Sequence, residues 1–393
     1  MPGSYIVAGA RTPIGKMSGA FSSLSAADLG GFAIAAALQR ANVRPEEVEH
    51  VIMGQVLMAG QGQVPARQAA VKAGIPMSVP SININKVCLS GLNAIYQADQ
   101  MIASGEADII VAGGMESMTN APYIANGARG GFRYGNTELA DAIIKDGLWC
   151  AFDACLMGLG TDRYSAGTIS RDEQDELAMK SHQRAAAAIA SGKFVDEIVP
   201  VSMAQRKGDP IIVDTDEGVR ASTTMESLGG LKPAFDKDGT VTAGNASQIS
   251  DGASAMVIMS KREAEKRGVK PLGEFVGYGM VAGPDSASLL QQPSRSILRA
   301  LERAGKQLSD IDLFEINEAF AAVGVASMRD LGISDDVVNV NGGAIALGHP
   351  IGMSGNRIAL TLLHELHRRG GGMGAAALCG GGGQGDALLI QTI

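Results

Sequence analysis

The chain has 393 residues, which is too long for one simple core and predicts two or three domains. Hydrophobic residues make up 46% of it and the formal net charge is −8, with no long run of lysine or arginine, so disorder is excluded and no nucleic-acid partner is expected. No window reaches 18 uninterrupted apolar residues, and the four cysteines match neither a zinc site nor a secreted disulfide framework, which predicts a cytoplasmic protein with no membrane partner and no metal.

The first part of the chain alternates between strand and helix patterns. Ser25 is a suitable N-cap for the first long helix. Strands that alternate with helices predict an α/β layered fold. The strand patterns fall at residues 5–9, 48–58, 81–85 and 107–114, and the helical patterns fall at 25–41 and 63–73.

The character of the chain changes between about residues 120 and 247, where glycine, asparagine and charged residues interrupt the alternation. One strong helix is predicted there, over 171–191, with Ser170 as its N-cap. We interpret this region as an insertion that carries a ligand-binding surface. The apolar run at 251–260 then returns to the pattern of a core strand.

The second half of the chain repeats the plan of the first. Each half has a strand, a turn of small residues, a helix, a glycine turn and another strand, which indicates a duplicated domain. In the second half we expect strands at 311–314, 337–340, 374–378 and 387–391, and a helix at 354–368.

Cys88 lies at the junction between a predicted strand and a predicted helix, in the segment SININKVCLSGLNAI. Free backbone N–H groups and the positive end of the helix dipole favour a thiolate at such a junction. Small residues nearby, Ser90, Gly91 and Ala94, leave room for a ligand. The segment therefore suggests a nucleophile, although a buried structural cysteine is the commoner case.

His349 and Cys379 are the other candidates for chemistry, and both adjoin glycine-rich turns. A histidine that faces Cys88 would make a thiol with a general base. Cys379 precedes a run of glycines that is followed by a strand pattern rather than a helix, which disfavours a nucleotide-binding loop. Two interpretations remain: a simple hairpin, or a turn whose backbone N–H groups point at a ligand oxygen. His364 and His367 lie three apart on a helix, where a solvated face is favoured over a metal site.

Five segments together resemble the signature blocks of the thiolase family, in the order that the family has them: NKVCLSG around Cys88, GNASQISDGA at 244–253, NEAF at 317–320, GGAIALGHPIG at 342–352 and CGGGGQGDA at 379–387. The resemblance extends over nearly the whole chain and is greatest to the biosynthetic type. It implies two duplicated βαβαβαββ halves in a five-layered αβαβα arrangement with an inserted loop domain. The implied division is residues 1–120 with 248–272, the insertion 121–247, and 273–393.

The resemblance also implies a reversible ping-pong Claisen reaction, in which two acetyl-CoA molecules give acetoacetyl-CoA and CoA. Cys88 would carry the acetyl group, His349 would activate it, and Cys379 would take the α-proton of the second substrate. One oxyanion site would use His349 with a water held by Asn317, and the other would use the backbone N–H groups of Cys88 and Gly381.

The insertion would bind coenzyme A, so that CoA thioesters are substrates and no cofactor is needed. The implied contacts are Arg220, Ser247, Phe235, Met157, Leu148, Phe320 and Ala246, and the implied assembly is a homotetramer (a dimer of dimers) or a homodimer. Positive charge for the phosphates is available at Arg206, Lys207, Arg220 and Lys232.

Three departures from the family pattern bear on the acyl pocket. Leu89 follows the nucleophile, Leu156 precedes Met157, and Leu289–Pro293 replaces a glycine-containing segment. Bulky Leu89, Met157 and Leu289 predict a pocket for short linear chains. Three other activities stay open: a degradative 3-ketoacyl-CoA thiolase, a decarboxylating or synthase-type condensing enzyme, and a non-catalytic acyl-CoA or lipid binder. Cys379 argues against the second, and the four catalytic-type residues argue against the third.

Overall fold

The computed structural model describes residues 3–205 and 207–393, so that Arg206, one of the predicted phosphate contacts, lies outside the described residues. Over these two ranges, no helix is both long enough and apolar enough to cross a membrane.

The chain begins with alternating strands and helices, as the pattern predicts. The first long helix starts after Ser25, whose hydroxyl accepts from the backbone N–H of Asp28 in a capping box. The elements are β1 (Ser4–Arg11), β2 (Gly15–Lys16), α1 (Ala26–Ala41), β3 (His50–Gly54), α2 (Pro65–Lys72), β4 (Ser81–Ile84), α3 (Ser90–Ser104) and β5 (Ile109–Ser117).

A long insertion follows β5. Its main helix is capped by Ser170, again in a capping box, as expected from the sequence. Several short elements surround this helix: β6 (Tyr123–Ile124), β7 (Ala140–Asp141), the π-helix Ile143–Leu148, β8 (Trp149–Cys150), β9 (Cys155–Leu156), α4 (Met157–Ser165), α5 (Arg171–Ala190), β10 (Val201–Met203), β11 (Ile211–Val213) and α6 (Met225–Gly229).

The chain then returns to the first half and builds the second. The elements are β12 (Ser250–Ser260), α7 (Lys261–Arg267), β13 (Gly273–Ala282), α8 (Gln292–Ala304), β14 (Leu313–Ile316), α9 (Ala321–Leu331), α10 (Ala344–Leu347), α11 (Ser354–Arg368), β15 (Met373–Gly380) and β16 (Gln384–Gln391). Single turns of 3₁₀-helix lie at Pro45–Glu47, Ala128–Gly130, Leu308–Asp310 and Asp335–Val337.

The strand order confirms the duplication. The first half runs β4-β3-β5-β12-β1, and the second runs β14-β15-β16-β13, with Val338 bridged to Phe314 on the outer side of β14. Leaving out the short β2, the first half has β1, β3, β4, β5 and β12 in chain order, and the second half has β13, β14, the bridge at Val338, β15 and β16. In both halves these five lie side by side in the order third, second, fourth, fifth, first. Antiparallel pairing of β1 with β13 joins the two sheets along one edge.

The helices complete five layers. α1 and α2 pack on the outer face of the first sheet, α8 packs on the outer face of the second, and α3 and α11 pack against each other between the sheets. These contacts give the predicted αβαβα arrangement with an inserted domain. The boundaries proposed for the three parts of the chain stay a prediction.

Two details of the sequence interpretation are wrong. The strand expected at 337–340 is reduced to one bridge. The side chain of Asn339 makes the hydrogen bonds to β14 that the backbone of a strand would make. Its Oδ1 accepts from Ile316 N at 2.9 Å, and its Nδ2 donates to Ile316 O at 2.7 Å. His364 and His367 are half-buried rather than solvated. Within the described ranges, no cluster of three or more His, Cys, Asp or Glu is placed to hold a metal ion.

The central helices meet through glycines at their N-terminal ends. A Cβ on Gly91 would lie 2.8 Å from the carbonyl oxygen of Gly352, and a Cβ on Gly54 would lie equally close to that oxygen. A Cβ on Gly114 would overlap the same atom, and one on Gly355 would overlap the backbone of α3. The two halves are therefore in backbone-to-backbone contact where α3 and α11 begin.

We expect Gly114→Ala to lower the free energy of unfolding by about 1–3 kcal/mol or more, because the added methyl group must push the backbone at Gly352 aside. Chemical denaturation at fixed protein concentration measures the change. Gly229→Ala, at a position with open space around it, is the matched control and should change the stability little. Equal stability of the two variants would contradict the tight contact.

Candidate active site

Cys88 lies in a strained turn between β4 and α3. Val87 has a φ of 51°, which is rare for a β-branched residue. Three hydrogen bonds hold it there: Asn85 Oδ1 accepts from Val87 N at 3.1 Å, Ser90 Oγ donates to Val87 O at 2.6 Å, and Ser90 Oγ accepts from Lys86 N at 2.8 Å. The turn therefore fixes the direction in which Cys88 points.

The surroundings of Cys88 are apolar on one side and carry backbone donors on the other. The residue packs against a cluster that includes Leu148, one of the predicted coenzyme A contacts, and Met118. Burial raises the pKa of the thiol to about 12, against the opposing effect of the backbone N–H groups of Cys88 and Gly381. The prediction that the helix N-terminus keeps Cys88 as a thiolate is therefore wrong for the resting protein. The loss of hydration raises the pKa by more than the nearby N–H groups lower it.

Cys379 lies near the end of β15, beside Cys88. Burial raises its pKa, and the nearby Cys88 raises it further. A strand, β16, follows the turn of glycines, so the prediction against a nucleotide-binding loop is confirmed. The two thiols, one from each half of the fold, therefore share one site.

Apolar residues from the insertion and from the second half pack around Cys379. Phe235 and Phe320 meet edge to face with their ring centroids 6.4 Å apart. Ala246 is bridged to Phe320, so the segment before β12 lies along the start of α9. Four of the predicted coenzyme A contacts belong to this cluster, which contains Met157, Phe235, Ala246, Phe320, Leu289, Leu290 and Cys379.

His349 is buried and faces Asn317. The side-chain nitrogen Nδ2 of Asn317 lies 3.4 Å from Nε2 of His349, while Asn317 Oδ1 has no hydrogen-bond partner among the described residues. Burial, with a smaller effect of the nearby Arg357, lowers the pKa of His349 to about 3. The imidazole is therefore neutral and can accept a proton, and the free amide oxygen is suited to hold a small polar molecule.

The remaining predicted contacts lie beside the His349 segment. Ser247 donates its backbone N–H to Ala319 O at 3.0 Å. Arg220 is exposed, and its backbone N–H donates to Nδ1 of His182 at 3.1 Å. The loop before Arg220 is tied to the catalytic segment by Gln248, whose Nε2 donates to Gly218 O at 3.1 Å and to Ala346 O at 3.1 Å.

Glu116 is a residue that the sequence analysis missed. Its carboxylate accepts from the backbone N–H groups of Val56 at 3.0 Å, Leu57 at 3.0 Å and Gly352 at 2.9 Å, so it ties a loop of the first half to the His349 loop of the second. Burial raises its pKa to about 7, against the effect of those three donors. A glutamate two residues after the apolar run at 107–114 is the available signal.

The three departures differ in where they lie. Leu289 and Met157 pack in the cluster around Cys379, as the crowded pocket requires. Leu89 does not, because its side chain enters the core between the sheets and lies against Gly380. The prediction that Leu89 narrows the pocket is therefore wrong. Leu156 pairs with Trp149 in the β8–β9 hairpin.

The duplicated fold, with two thiols, a histidine and an asparagine among its buried residues, can be compared with known protein families. The chain matches the family described as "Thiolase, N-terminal domain" over residues 4–262 and "Thiolase, C-terminal domain" over residues 269–392. It belongs to the thiolase family.

Relatives within that family resemble the chain over its whole length. A probable acetyl-CoA acetyltransferase of Mycolicibacterium smegmatis is 57% identical over 387 residues, which are 98% of this chain and 100% of the relative. A probable acetyl-CoA acetyltransferase of Mycobacterium tuberculosis is 55% identical, with 100% of each chain covered. An acetyl-CoA acetyltransferase of Cupriavidus necator is 51% identical, with 98% of each covered.

The raised pKa of Cys88 has a measurable consequence. The rate of its alkylation by iodoacetamide should rise about tenfold for each pH unit up to pH ~9, because only the thiolate reacts and its fraction stays small throughout. Peptide mass spectrometry separates modification at Cys88 from modification elsewhere. A rate that becomes constant between about pH 6 and 8 would instead indicate a resting thiolate.

Proposed function

We propose that the chain is an acetyl-CoA acetyltransferase, which condenses two acetyl-CoA molecules reversibly to acetoacetyl-CoA and CoA through an acetyl-Cys88 intermediate. The observation that carries the proposal is that two buried thiols, Cys88 and Cys379, one from each half of the fold, lie close enough for one to raise the pKa of the other. A buried, neutral histidine, His349, supplies the base that the proposed reaction needs. The printed names of relatives at 51–57% identity support the choice of substrate.

In the first half-reaction, the sulfur of Cys88 forms a bond to the acetyl carbon and the bond to the CoA sulfur breaks. The proton of Cys88 passes to His349 Nε2, and the departing CoA thiolate takes a proton from Cys379. The backbone N–H groups of Cys88 and Gly381 are suited to stabilise the oxyanion of this step. His349 is left protonated and Cys379 is left as a thiolate.

In the second half-reaction, the Cys379 thiolate removes a methyl proton from a second acetyl-CoA. The protonated His349, with a water held by Asn317, stabilises the enolate oxygen. The enolate carbon attacks acetyl-Cys88, and the released Cys88 sulfur takes its proton back from His349. All groups then return to their starting protonation states. The raised pKa of Cys379 favours this role, because a thiolate whose conjugate thiol has a high pKa is a strong base for the α-proton.

Coenzyme A is proposed as part of the substrate and not as a cofactor. Met157, Phe235, Phe320, Ala246 and Leu148 offer apolar contacts for pantetheine, with Ser247 beside them. Arg220 is exposed and free to meet the nucleotide phosphates. The charge on the guanidinium suits that contact.

A cytoplasmic role in lipid metabolism and a homotetramer or homodimer complete the proposal. The assembly is supported by exposed apolar side chains in the β6–β7 region, where Tyr123 is 66% exposed and Tyr134 is fully exposed. Apolar side chains exposed to this extent are often covered by a partner.

Chain length separates the proposed activity from that of a degradative 3-ketoacyl-CoA thiolase. Leu289 and Met157 occupy the space beside Cys379, so kcat/KM for thiolysis of acetoacetyl-CoA should exceed that for 3-ketooctanoyl-CoA. Leu289→Ala should narrow this ratio, and Leu298→Ala, at an exposed leucine of α8, should leave it unchanged. Faster cleavage of the eight-carbon substrate by the native protein would favour the degradative enzyme.

Substitution of the two cysteines should affect different steps of the reaction. Cys88→Ala should form no adduct with acetyl-CoA. Cys379→Ala should still form acetyl-Cys88 but lose condensation by at least ~10²-fold, the usual minimum for a missing general base, together with exchange of the methyl protons into D₂O. Intact mass and peptide mapping measure the adduct. An acetyl group on Cys379 of the native protein would reverse the assignment, and no adduct at all would contradict the enzyme.

A further inference from the structure

Ser354 contacts the catalytic histidine on the side away from Asn317. It is the first residue of α11, five positions after His349, and it is 1% exposed. Its Oγ lies 2.5 Å from Nδ1 of His349 and 3.0 Å from the carbonyl oxygen of Pro350. None of the roles described above uses this serine.

The direction of these hydrogen bonds follows from the chemistry of the groups. A carbonyl oxygen only accepts, so the single hydroxyl proton of Ser354 is donated to Pro350 O. The lone pairs of Oγ are then left for an N–H at Nδ1 of His349. On the other side of the ring, the amide nitrogen of Asn317 lies 3.4 Å from Nε2. An amide nitrogen only donates, so this contact fits an unprotonated Nε2, and it is long enough for the thiol of Cys88 to replace it.

We propose that Ser354 is a positioning residue that keeps the proton of the resting imidazole on Nδ1 and so leaves Nε2 free to receive the proton of Cys88. The route of that proton rests on the function proposed above, whereas the position of the resting proton does not. With the opposite tautomer, Nε2 already carries a proton and cannot serve as a base until the ring exchanges it.

Burial makes the choice of tautomer matter. His349 is 6% exposed, so bulk water has little access to exchange the proton between the two nitrogens. The low pKa of about 3 keeps the ring neutral at working pH, with one proton to place. After Cys88 gives up its proton, both nitrogens carry one, and Ser354 still accepts from Nδ1 without turning its hydroxyl.

Nitrogen-15 spectra of native protein labelled only at histidine test the proposal directly. The chain has five histidines, and a histidine variant assigns each signal. We expect His349 to carry its proton on Nδ1. His182 is an internal reference for the opposite tautomer. Its Nδ1 accepts from Arg220 N, so its proton is on Nε2. A proton on Nε2 of His349 would overturn the proposal.

Kinetics of a serine variant test the consequence. Ser354→Ala should slow acetyl-Cys88 formation at saturating acetyl-CoA by at least ~10-fold, with KM little affected. The loss should be smaller than the ~10⁴-fold that follows when a charged partner of a catalytic histidine is changed, because Ser354 is neutral. Ser296→Ala is the matched control, because Ser296 is buried near the start of α8 and donates to Pro293 O at 2.9 Å. Equal rates in the two variants would contradict the role.

The outcomes separate this inference from the proposed function. Native protein that forms no acetyl adduct contradicts the proposed function, while its histidine spectrum still decides where the resting proton lies. If Ser354→Ala does not fold, the native spectrum alone decides.

Discussion

The structure depends on the backbone contact around Gly352. The carbonyl oxygen of this residue occupies the space where Gly54, Gly91 and Gly114 would each place a side chain. Helices with side chains at their contact normally lie about 8–10 Å apart, and only glycines allow backbones to touch. Here the contact lies where α3 and α11 begin. The segments just before each helix, which carry Cys88 in one half and His349 in the other, therefore lie next to each other, and Cys88 packs with the same apolar cluster as Ile351.

The same close packing determines the charge state of the site. Water is excluded from a contact made by backbones, so each titratable group beside it favours its neutral form: the pKa of Cys88 rises, that of His349 falls, and that of Glu116 rises. A neutral thiol and a neutral imidazole hold no unpaired charge in a dry site. In the proposed reaction, the charged pair would form only when a substrate with a polar carbonyl and suitably placed donors is bound, which would tie proton transfer to the bound substrate.

Local signals in the sequence predicted most of the fold. Helix starts at Ser25 and Ser170, the apolar run that becomes β5, and the glycine turn after Cys379 all depend on neighbours within a few residues, and those predictions hold. The failures depend on distant partners. Asn339 replaces a strand by bonding to Ile316, Leu89 enters the core instead of the pocket, and Cys88 loses hydration that no local pattern reports. The motif spacing predicts which residues act, but it carries no information on their protonation states.

The duplication explains why the two halves exchange contacts at the site. β5 and β15 are equivalent strands of the two halves, and near their ends they carry Glu116 and Cys379 in turn. Each of these serves the other half: Glu116 accepts from Gly352 N beside the histidine, and Cys379 lies beside Cys88. Lys86 crosses in the same way, with its Nζ 2.7 Å from Asp386 on β16. Because Cys88 and Cys379 come from different halves, a site that needs both thiols cannot be built by either half alone. The equivalent positions thus carry different groups: a carboxylate that ties two loops together, and a thiol to which the proposed reaction assigns the transfer of a proton.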